Sequence, residues 1–330
     1  MIGRDTESLV PGFGRPGTTE HELLDFMQMK RRFYSPVEIF PGSGVPLLDI
    51  LKQIVVKTGR GFGFWRLVNL GTRIIPSWRN LKVVGPDGHP FFLDLQDYGF
   101  GLVISGFMTS EIAPIISALP ADSVILDVGA NIGAWTRLFA AQARAGMVYA
   151  FEPSPKNAEV LRRNVQGYAN IQIYQEALSH RTGTVYLAEQ KQAGLRHITE
   201  SGAHGSVPVA SRTLDDWVAR NGVPRLDCIK VDVEGFEENV LLHGEKTLQR
   251  FSPVICFEYI PQLAKSRSLY RGERLFSYLA GLNYQIFRLD KNGVLFSDIN
   301  GAEDWTNDYI ALSPKWKWLA YAERNLAKPH

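Results

Sequence analysis

The chain has 330 residues, of which 45% are hydrophobic and 21% are charged, with 36 Lys and Arg against 34 Asp and Glu. This composition is close to ordinary globular usage and excludes wholesale disorder or a fibrous structure. A net charge of +2 lacks the strong basic excess of general nucleic-acid-binding proteins, so we expect no nucleic acid partner.

Cysteine content and hydropathy indicate the cellular location. The two cysteines, Cys228 and Cys256, cannot form a disulfide framework and suit a reducing compartment. The first residues, MIGRDTESLVPGFG, lack the apolar core of a secretory signal, and no uncharged apolar run reaches the roughly 18 residues that span a bilayer. We therefore expect a cytoplasmic protein.

The first 82 residues are predicted to form two accessory segments. Residues 1–45 contain PGFGRPG and FPGSGVP and are interpreted as a flexible, turn-rich segment. Residues 46–82 carry seven Lys and Arg against Asp49 alone, and their apolar positions follow helical spacing. Such a basic amphipathic segment can make a peripheral contact with the inner face of the membrane. We favour an accessory helical region packed on the main domain, because apolar stripes on helices usually face a core.

The remainder of the chain is predicted to form the main domain and what leads into it. Residues 83–121 are interpreted as a β-hairpin with Asp87 and Gly88 at its turn, followed by a helix that leads into the core. Over residues 122–315, short apolar runs alternate with stretches at helical spacing, which is the pattern of a parallel α/β sheet. Residues 316–330 are interpreted as a C-terminal tail.

The predicted elements of the main domain follow one another regularly. Strands are predicted at 123–127, 147–151, 171–175, 227–233 and 253–258, and helices at 134–144, 155–165, 214–220, 237–242 and 271–281. Between the third and fourth strands, TVYLAEQ and SVPVAS indicate a small antiparallel insertion. After the last helix, YQIFRLD, GVLFSD and NDYIALS indicate antiparallel strands.

The run VILDVGANIGAWTRLFA carries the first chemical motif. A buried strand ends near Asp127, turns through Gly129 and opens a helix at about Gly133, where unpaired amides and a partial positive charge face a ligand. Glu152 ends the next strand, roughly 20 residues past the glycine turn, where a carboxylate can bind ribose hydroxyls. Ordinary turn chemistry is the alternative for the two glycines, and we favour a nucleotide-like ligand.

The type of nucleotide-like ligand is indicated by what the turn lacks. A dinucleotide site would carry G-x-G-x-x-G, whereas this turn reads G-A-N-I-G. An acidic residue at Asp127 also suits a ligand with an ammonium and a sulfonium better than a pyrophosphate.

In order and spacing, the motifs DVGANIG, FEPSP, EALS, TLDDW and IKVDVEGFE resemble the FkbM-type family of S-adenosylmethionine-dependent methyltransferases over about residues 95–312. The resemblance implies a class I methyltransferase (Rossmann-like) α/β fold, with a seven-stranded mixed sheet whose last strand is antiparallel. It also implies S-adenosyl-L-methionine as the cofactor and O-methylation of a small molecule or glycan. The first 80 residues lie outside the resemblance and form a smaller accessory region.

Roles for the cofactor-binding residues combine that resemblance with the strand ends. The methionine side of the cofactor is assigned to Asp127, Gly129, Asn131 and Gly133, the ribose to Glu152, and the adenine edge to Glu176 and Ala177. We leave Trp135 out of the site, since a residue at this place in the first helix is more often a packing residue.

Candidate catalytic and substrate residues lie at the same rim of the sheet. Asp232 and Glu234 are the candidate general bases, because an alcohol that is methylated must lose its proton. Glu234 could instead cap the following helix or pair with a basic residue. Glu258 and His197 are candidate substrate residues. His197 is expected in a loop that could cover the acceptor pocket, although a loop histidine is more often simply solvated. We assign no metal, although Asp232 and Glu258 could together hold a divalent cation.

These observations predict an O-methyltransferase that acts on a hydroxyl of a sugar, a glycolipid or a secondary metabolite by in-line displacement with carboxylate assistance. One alternative is an N-methyltransferase on the same scaffold. The other is a non-catalytic cofactor-binding module docked to a membrane or a complex.

Overall fold

A computed structural model describes residues 71, 73–85, 87, 89–94, 116, 119–189, 196–199, 202, 205–289, 295–296 and 308–316. The predictions for residues 1–45, for 46–70 within the basic segment, for most of the helix expected before residue 121 and for the tail beyond 316 lie outside the described residues. Every helix within the described part is too short or too polar to cross a membrane.

The strands alternate with helices through the main domain. In chain order the strands are β1 (Leu81–Val84), β2 (Pro90–Leu93), β3 (Val124–Val128), β4 (Met147–Phe151), β5 (Ile171–Tyr174), β6 (Ala177–Leu178), β7 (Gly183–Glu189), β8 (Arg196–Thr199), β9 (Val207–Arg212), β10 (Cys228–Val231), β11 (Val254–Glu258), β12 (Gln285–Leu289), β13 (Leu295–Phe296) and β14 (Asp308–Leu312).

The helices connect consecutive strands of the sheets. They are α1 (Ala134–Gln142), α2 (Pro155–Asn164), α3 (Leu214–Arg220), α4 (Glu237–Leu241), α5 (Glu245–Phe251), α6 (Pro261–Arg267) and α7 (Leu275–Gly281). Local capping explains several helix starts: the side chains of Ser154 and Thr213 accept hydrogen bonds from the first turns of α2 and α3, and Pro155 opens α2. We did not predict α5 and α6, two seven-residue helices.

The main sheet has the spatial order β13-β12-β14-β11-β10-β3-β4-β5. The strands β11, β10, β3, β4 and β5 pair in parallel, whereas β14 is antiparallel to both of its neighbours, β11 and β12. The predicted seven-stranded mixed sheet with an antiparallel last strand is therefore confirmed. The two-residue strand β13 extends it at one edge.

The core lies on both faces of this sheet, as expected for parallel strands covered by helices. On one face, Trp217 of α3 packs edge-on against Phe151 and Tyr174. On the other face, Phe139 of α1 packs among small and branched residues that include Cys228 and Cys256, which are buried and free. Both cysteines therefore fill space in the core.

A second, smaller sheet is inserted between β5 and β10, as predicted. Its order is β6-β9-β7-β8, with β7 antiparallel to β8 and β9 and β6 parallel to β9. We did not predict β8, because four residues between glycine-containing stretches resemble a loop. This sheet packs through Val185, Leu187 and Ile198 against Phe236, next to the carboxyl ends of the main strands.

The predicted hairpin is formed by β1 and β2, which pair from Leu81↔Leu93 to Val84↔Pro90. It begins two residues earlier than predicted, and a short 3₁₀ helix, Pro76–Asn80, precedes it. Asn164 of α2 attaches the hairpin: its amide accepts from the Phe92 backbone N–H at 2.6 Å and donates to the Phe92 carbonyl at 2.9 Å. The same amide donates to the carbonyl of Ile132 at 2.8 Å, in the turn after β3.

Candidate functional site

A cavity of about 200 Å³ opens where β3, β4 and β10 end, beside the small sheet. Ligands of open α/β sheets bind at this place, outside the carboxyl ends of the strands. The residues that line it include Gly129, Asn131 and Ile132 after β3, Trp135 in α1, Glu152 after β4, Asn157 in α2, Leu187, His197 and Ile198 of the small sheet, and Lys230, Asp232 and Glu234 at the end of β10.

The turn after β3 depends on close backbone approach. Gly129 has a φ of 85°, and a Cβ built on it would lie 1.9 Å from the carbonyl oxygen of Asp232. Asn131 is also left-handed, with a φ of 51°, which asparagine tolerates better than most residues. Gly133 has a φ of 92°, and a Cβ there would meet Leu161 at 2.5 Å. Gly133 therefore sets the packing of α1 on α2 and does not line the cavity.

The Glu152 carboxylate holds the turn and faces the cavity at the same time. Its Oε2 accepts from the Asn131 backbone N–H and its Oε1 from the Ser154 backbone N–H, both at 2.9 Å. Glu152 is only 6% exposed. Each carboxylate oxygen has a second lone pair, so Glu152 can still accept hydrogen bonds from a ligand.

A charge cluster lies where β3 and β10 run side by side, and two of its members, Lys230 and Asp232, line the cavity. Lys230 stands opposite Asp127 in the β3–β10 register and is 5% exposed. Its Nζ lies 3.1 Å from Asp232 Oδ2 and 3.6 Å from Asp127 Oδ1. Burial acts to lower the pKa of Lys230, but the carboxylates of Asp232 and Asp127 outweigh it and raise that pKa above its usual range. Lys230 is therefore a fixed cation.

Asp127 lies behind Lys230 and is fully buried, so it does not line the cavity. Thr136 Oγ1 donates to its Oδ2 at 2.6 Å. Burial raises the pKa of Asp127, and the Lys230 ammonium opposes only part of that rise. We had not singled out Lys230, although a lysine inside an otherwise apolar buried strand indicates a buried partner.

Glu234 is held by a basic residue, which was one alternative that we considered for it. Its backbone is left-handed, with a φ of 58°. Arg267 Nη1 donates to the Glu234 carbonyl at 2.8 Å and lies 4.0 Å from its Oε2. Glu234 nevertheless lines the cavity, beside Asp232. A strained backbone at a cavity wall is typical of functional positions.

Glu237 supports the loop that carries these two carboxylates. It is 1% exposed, and its Oε1 accepts from the backbone N–H groups of Val233 at 3.0 Å and Gly235 at 3.1 Å. Burial raises its pKa from an ordinary value of 4.5 to about 8, although both backbone N–H groups oppose that rise. At neutral pH the folded protein therefore holds Glu237 protonated.

We expect the unfolding free energy of the Glu237→Gln variant, measured relative to that of the wild-type protein, to increase as the pH rises. Between the ordinary pKa of 4.5 and the folded value of about 8, the folded state binds one more proton than the unfolded state. Wild-type stability therefore falls with pH in this window, whereas a neutral glutamine does not titrate. Urea unfolding at pH values across this window should show that the unfolding free energy of the variant rises by ~2–4 kcal/mol relative to that of the wild type. The exposed Glu159→Gln is the control, and parallel profiles for all three proteins would contradict the prediction.

His197 lies on β8 rather than in the loop that we expected, because residues 196–199 pair with β7. It lines the cavity from the side of the small sheet. Its Nδ1 is buried and has no hydrogen-bond partner among the residues that the structure describes. Burial, together with the Arg267 guanidinium, lowers the pKa of His197 to about 4. The ring is therefore neutral at physiological pH and can accept or donate a hydrogen bond.

Besides Asp127 and Gly133, three further predicted site residues lie outside the cavity lining: Glu176, Ala177 and Glu258. Glu176 Oε2 accepts from Arg212 Nε at 2.8 Å, and Ala177 is buried in the core of the small sheet. Glu258 ends β11, opposite Asp308 of β14. Their predicted roles in cofactor and substrate binding stay predictions, and their positions outside the cavity lining do not support them. Trp135, which we had assigned to packing, does line the cavity. Within the described ranges, no group of three His, Cys, Asp or Glu side chains could hold a metal ion.

Comparisons with known proteins give consistent results. The model of the methyltransferase FkbM domain matches residues 127–286. The 2-O-methyltransferase NoeI of Sinorhizobium fredii is 30% identical over 169 residues, which cover 46% of this chain and 67% of that protein. The hexuronic acid methyltransferase AglP of Haloferax volcanii is 30% identical over 135 residues, which cover 41% of this chain and 55% of that protein.

A solved structure is also similar. The crystal structure of methyltransferase FkbM from Methylobacillus flagellatus aligns with 73% of this chain and 59% of its own, at 14% identity and a TM-score of 0.41.

Proposed function

The chain belongs to the FkbM methyltransferase family, and on that premise we propose that it transfers a methyl group from S-adenosylmethionine to a hydroxyl of a sugar, a glycolipid or a similar metabolite. The observation that carries the proposal is the meeting of four features in one cavity: the Gly129 turn, Glu152, and the two carboxylates Asp232 and Glu234. The turn and Glu152 suit a methyl donor that carries a ribose, and the two carboxylates suit an acceptor hydroxyl that must lose its proton.

The donor side of the cavity fits S-adenosylmethionine. The absence of a side chain at Gly129 lets the turn lie directly against the backbone of Asp232, so that both line the cavity. Glu152 offers carboxylate lone pairs for the ribose hydroxyls. The negative charge of Asp232 suits a donor that carries a sulfonium and an ammonium group. When bound, this cofactor supplies an electrophilic methyl group.

The acceptor side is formed by the small sheet and the end of β10. Leu187 and Ile198 provide an apolar surface, and His197 is a neutral hydrogen-bonding group between them and the main sheet. A pocket of mainly apolar walls with a few placed polar groups is the usual form of a small-molecule site. The C–H faces and hydroxyls of a sugar match this combination.

Two carboxylates are in place to accept the proton that the hydroxyl loses. Asp232 accepts from Lys230 at 3.1 Å, and the Glu234 carboxylate lies 4.0 Å from Arg267, so each carboxylate has a cation beside it. The raised pKa of Lys230 keeps it charged, so it cannot act as the base. Asp232 or Glu234 is therefore the proposed general base.

Labelled methyl transfer to a panel of hydroxyl and amine acceptors tests this function. We expect Asp232→Asn or Glu234→Gln to lower kcat by about 10²–10⁴-fold, because general-base assistance typically contributes that much. Calorimetric affinity for S-adenosylmethionine should stay within a few-fold in Glu234→Gln, whereas Asp232→Asn also removes a charge on the donor side and should weaken it. Glu159→Gln should behave as wild type.

Full turnover in both variants would contradict the base assignment. The absence of any heat with S-adenosylmethionine or its demethylated product would contradict the donor. Transfer to amines alone would replace O-methylation with N-methylation.

A further inference from the structure

We infer that the acceptor is an uncharged sugar and that this cavity selects against acidic sugars such as uronates. The inference rests on the proposed function and narrows its substrate class. It follows from the charges that line the cavity, from the neutrality of His197, and from the engagement of the nearby cations with carboxylates of the protein itself.

The cavity wall carries more negative than positive charge. Among the described lining residues, the carboxylates belong to Glu152, Asp232 and Glu234, and the one cationic side chain belongs to Lys230. Their sum is −2 at neutral pH. S-adenosylmethionine carries a sulfonium, an ammonium and a carboxylate, so its binding adds +1 and leaves an excess negative charge beside the acceptor.

Among the described residues, the two cations near the wall, Lys230 and Arg267, already have partners within the protein. Lys230 Nζ lies between Asp232 and Asp127 at 3.1 and 3.6 Å. Arg267 Nη1 donates to the Glu234 carbonyl and lies 4.0 Å from its carboxylate. A uronate in the cavity would have to compete with these carboxylates for the same cations, and an unpaired like charge there is unfavourable.

His197 does not supply the missing positive charge. It is the lining residue that could have become cationic near neutral pH, but its burial beside Arg267 keeps the ring neutral. Its Nδ1, which has no partner among the described residues, can instead bond an uncharged hydroxyl. The other described lining residues on this side, Leu187 and Ile198, offer apolar surface.

An uncharged sugar reverses each of these penalties. Its hydroxyls donate to the carboxylates of Asp232 and Glu234, and hydrogen bonds to ionised acceptors are the strong ones. Its apolar C–H face can lie against Leu187, Ile198 or the ring of Trp135. The same wall that repels a uronate therefore binds a neutral hexose or deoxyhexose.

Matched acceptor pairs test the inference. Methyl glucoside and methyl galactoside are compared with the corresponding methyl glucuronide and galacturonide, using labelled S-adenosylmethionine at low ionic strength. We expect kcat/KM to favour the neutral member by at least ~10-fold, and the preference to weaken at high salt. Equal or better transfer to the uronides would overturn the inference and leave the proposed function standing. If S-adenosylmethionine binds but no methyl group is transferred to any sugar, both the inferred acceptor class and the proposed transfer to sugars are overturned.

The Glu234→Gln variant tests the physical cause. Removing one negative charge should reduce the preference for the neutral member several-fold, although the rates for both acceptors fall. Glu159→Gln makes the same change on the exposed surface of α2 and should leave the preference unchanged. An unchanged preference in Glu234→Gln, or an equal shift in Glu159→Gln, would overturn the assignment of selectivity to the charge of the wall.

Discussion

Replacement of Gly129 with alanine should abolish cofactor binding and destabilise the fold by at least ~3 kcal/mol. A Cβ at this position would lie 1.9 Å from the carbonyl oxygen and 2.9 Å from the carbonyl carbon of Asp232. These are backbone atoms, so relief requires β3 and β10 to separate at their carboxyl ends. That movement would displace Asp232, and with it the wall of the cavity.

Gly167 provides the matched control for this experiment. It is also left-handed, with a φ of 98°, but a Cβ there would meet nothing within 4 Å. Gly167→Ala should therefore cost only the dihedral strain, roughly 1–2 kcal/mol, and leave cofactor binding intact. Urea unfolding gives the stabilities, and calorimetry with S-adenosylmethionine gives the binding. If the two alanine variants lose equal stability and both bind the cofactor, close approach at Gly129 does not matter.

The Lys230→Met variant should lose ~3–5 kcal/mol of unfolding free energy, the usual cost of breaking a buried ion pair by removing one partner. Methionine has a similar length and keeps the apolar contacts of the lysine stem. Asp127, which is 0% exposed, would then have no cation near its Oδ1. Asp232 would lose its 3.1 Å contact and its orientation toward the cavity.

A double variant separates charge from packing. Asp127→Asn in the Lys230→Met background removes the buried charge that the single substitution leaves behind, and the amide can still accept from Thr136. We expect the double variant to recover most of the lost stability, while turnover stays low because Asp232 still lacks Lys230. Urea unfolding of the wild type, both single variants and the double variant gives the coupling energy. Additive losses would mean that the two side chains do not form a pair.

Some of the site could be predicted because its signals are local. A buried apolar run followed by glycine marks a strand end, and parallel strands bring their carboxyl ends to the same edge of the sheet. On this basis Gly129, Asn131, Glu152, Asp232 and Glu234 were all expected at one rim, and all of them line the cavity.

Other features depend on partners far along the chain. Glu176 follows β5 as expected, but Arg212, 36 residues later, binds its carboxylate away from the cavity. His197 required β8, a four-residue strand whose formation depends on pairing with β7. The role of Lys230 as the partner of a buried carboxylate becomes apparent only in the structure, where the pairing of β3 with β10 places Asp127 beside it. Contacts across sheets decide such side-chain directions, and they leave no periodic signal in the sequence.

The amide of Asn164 has a practical consequence for any shortened version of this enzyme. It bonds the backbone N–H and carbonyl of Phe92, as a neighbouring strand would. It also donates to the carbonyl of Ile132, a residue that lines the cavity. A fragment cut to the boundaries of the family match would delete the hairpin and leave this buried amide half satisfied. Expression fragments should therefore begin upstream of Leu81, since the hairpin that precedes the family match helps to hold the turn that lines the cavity.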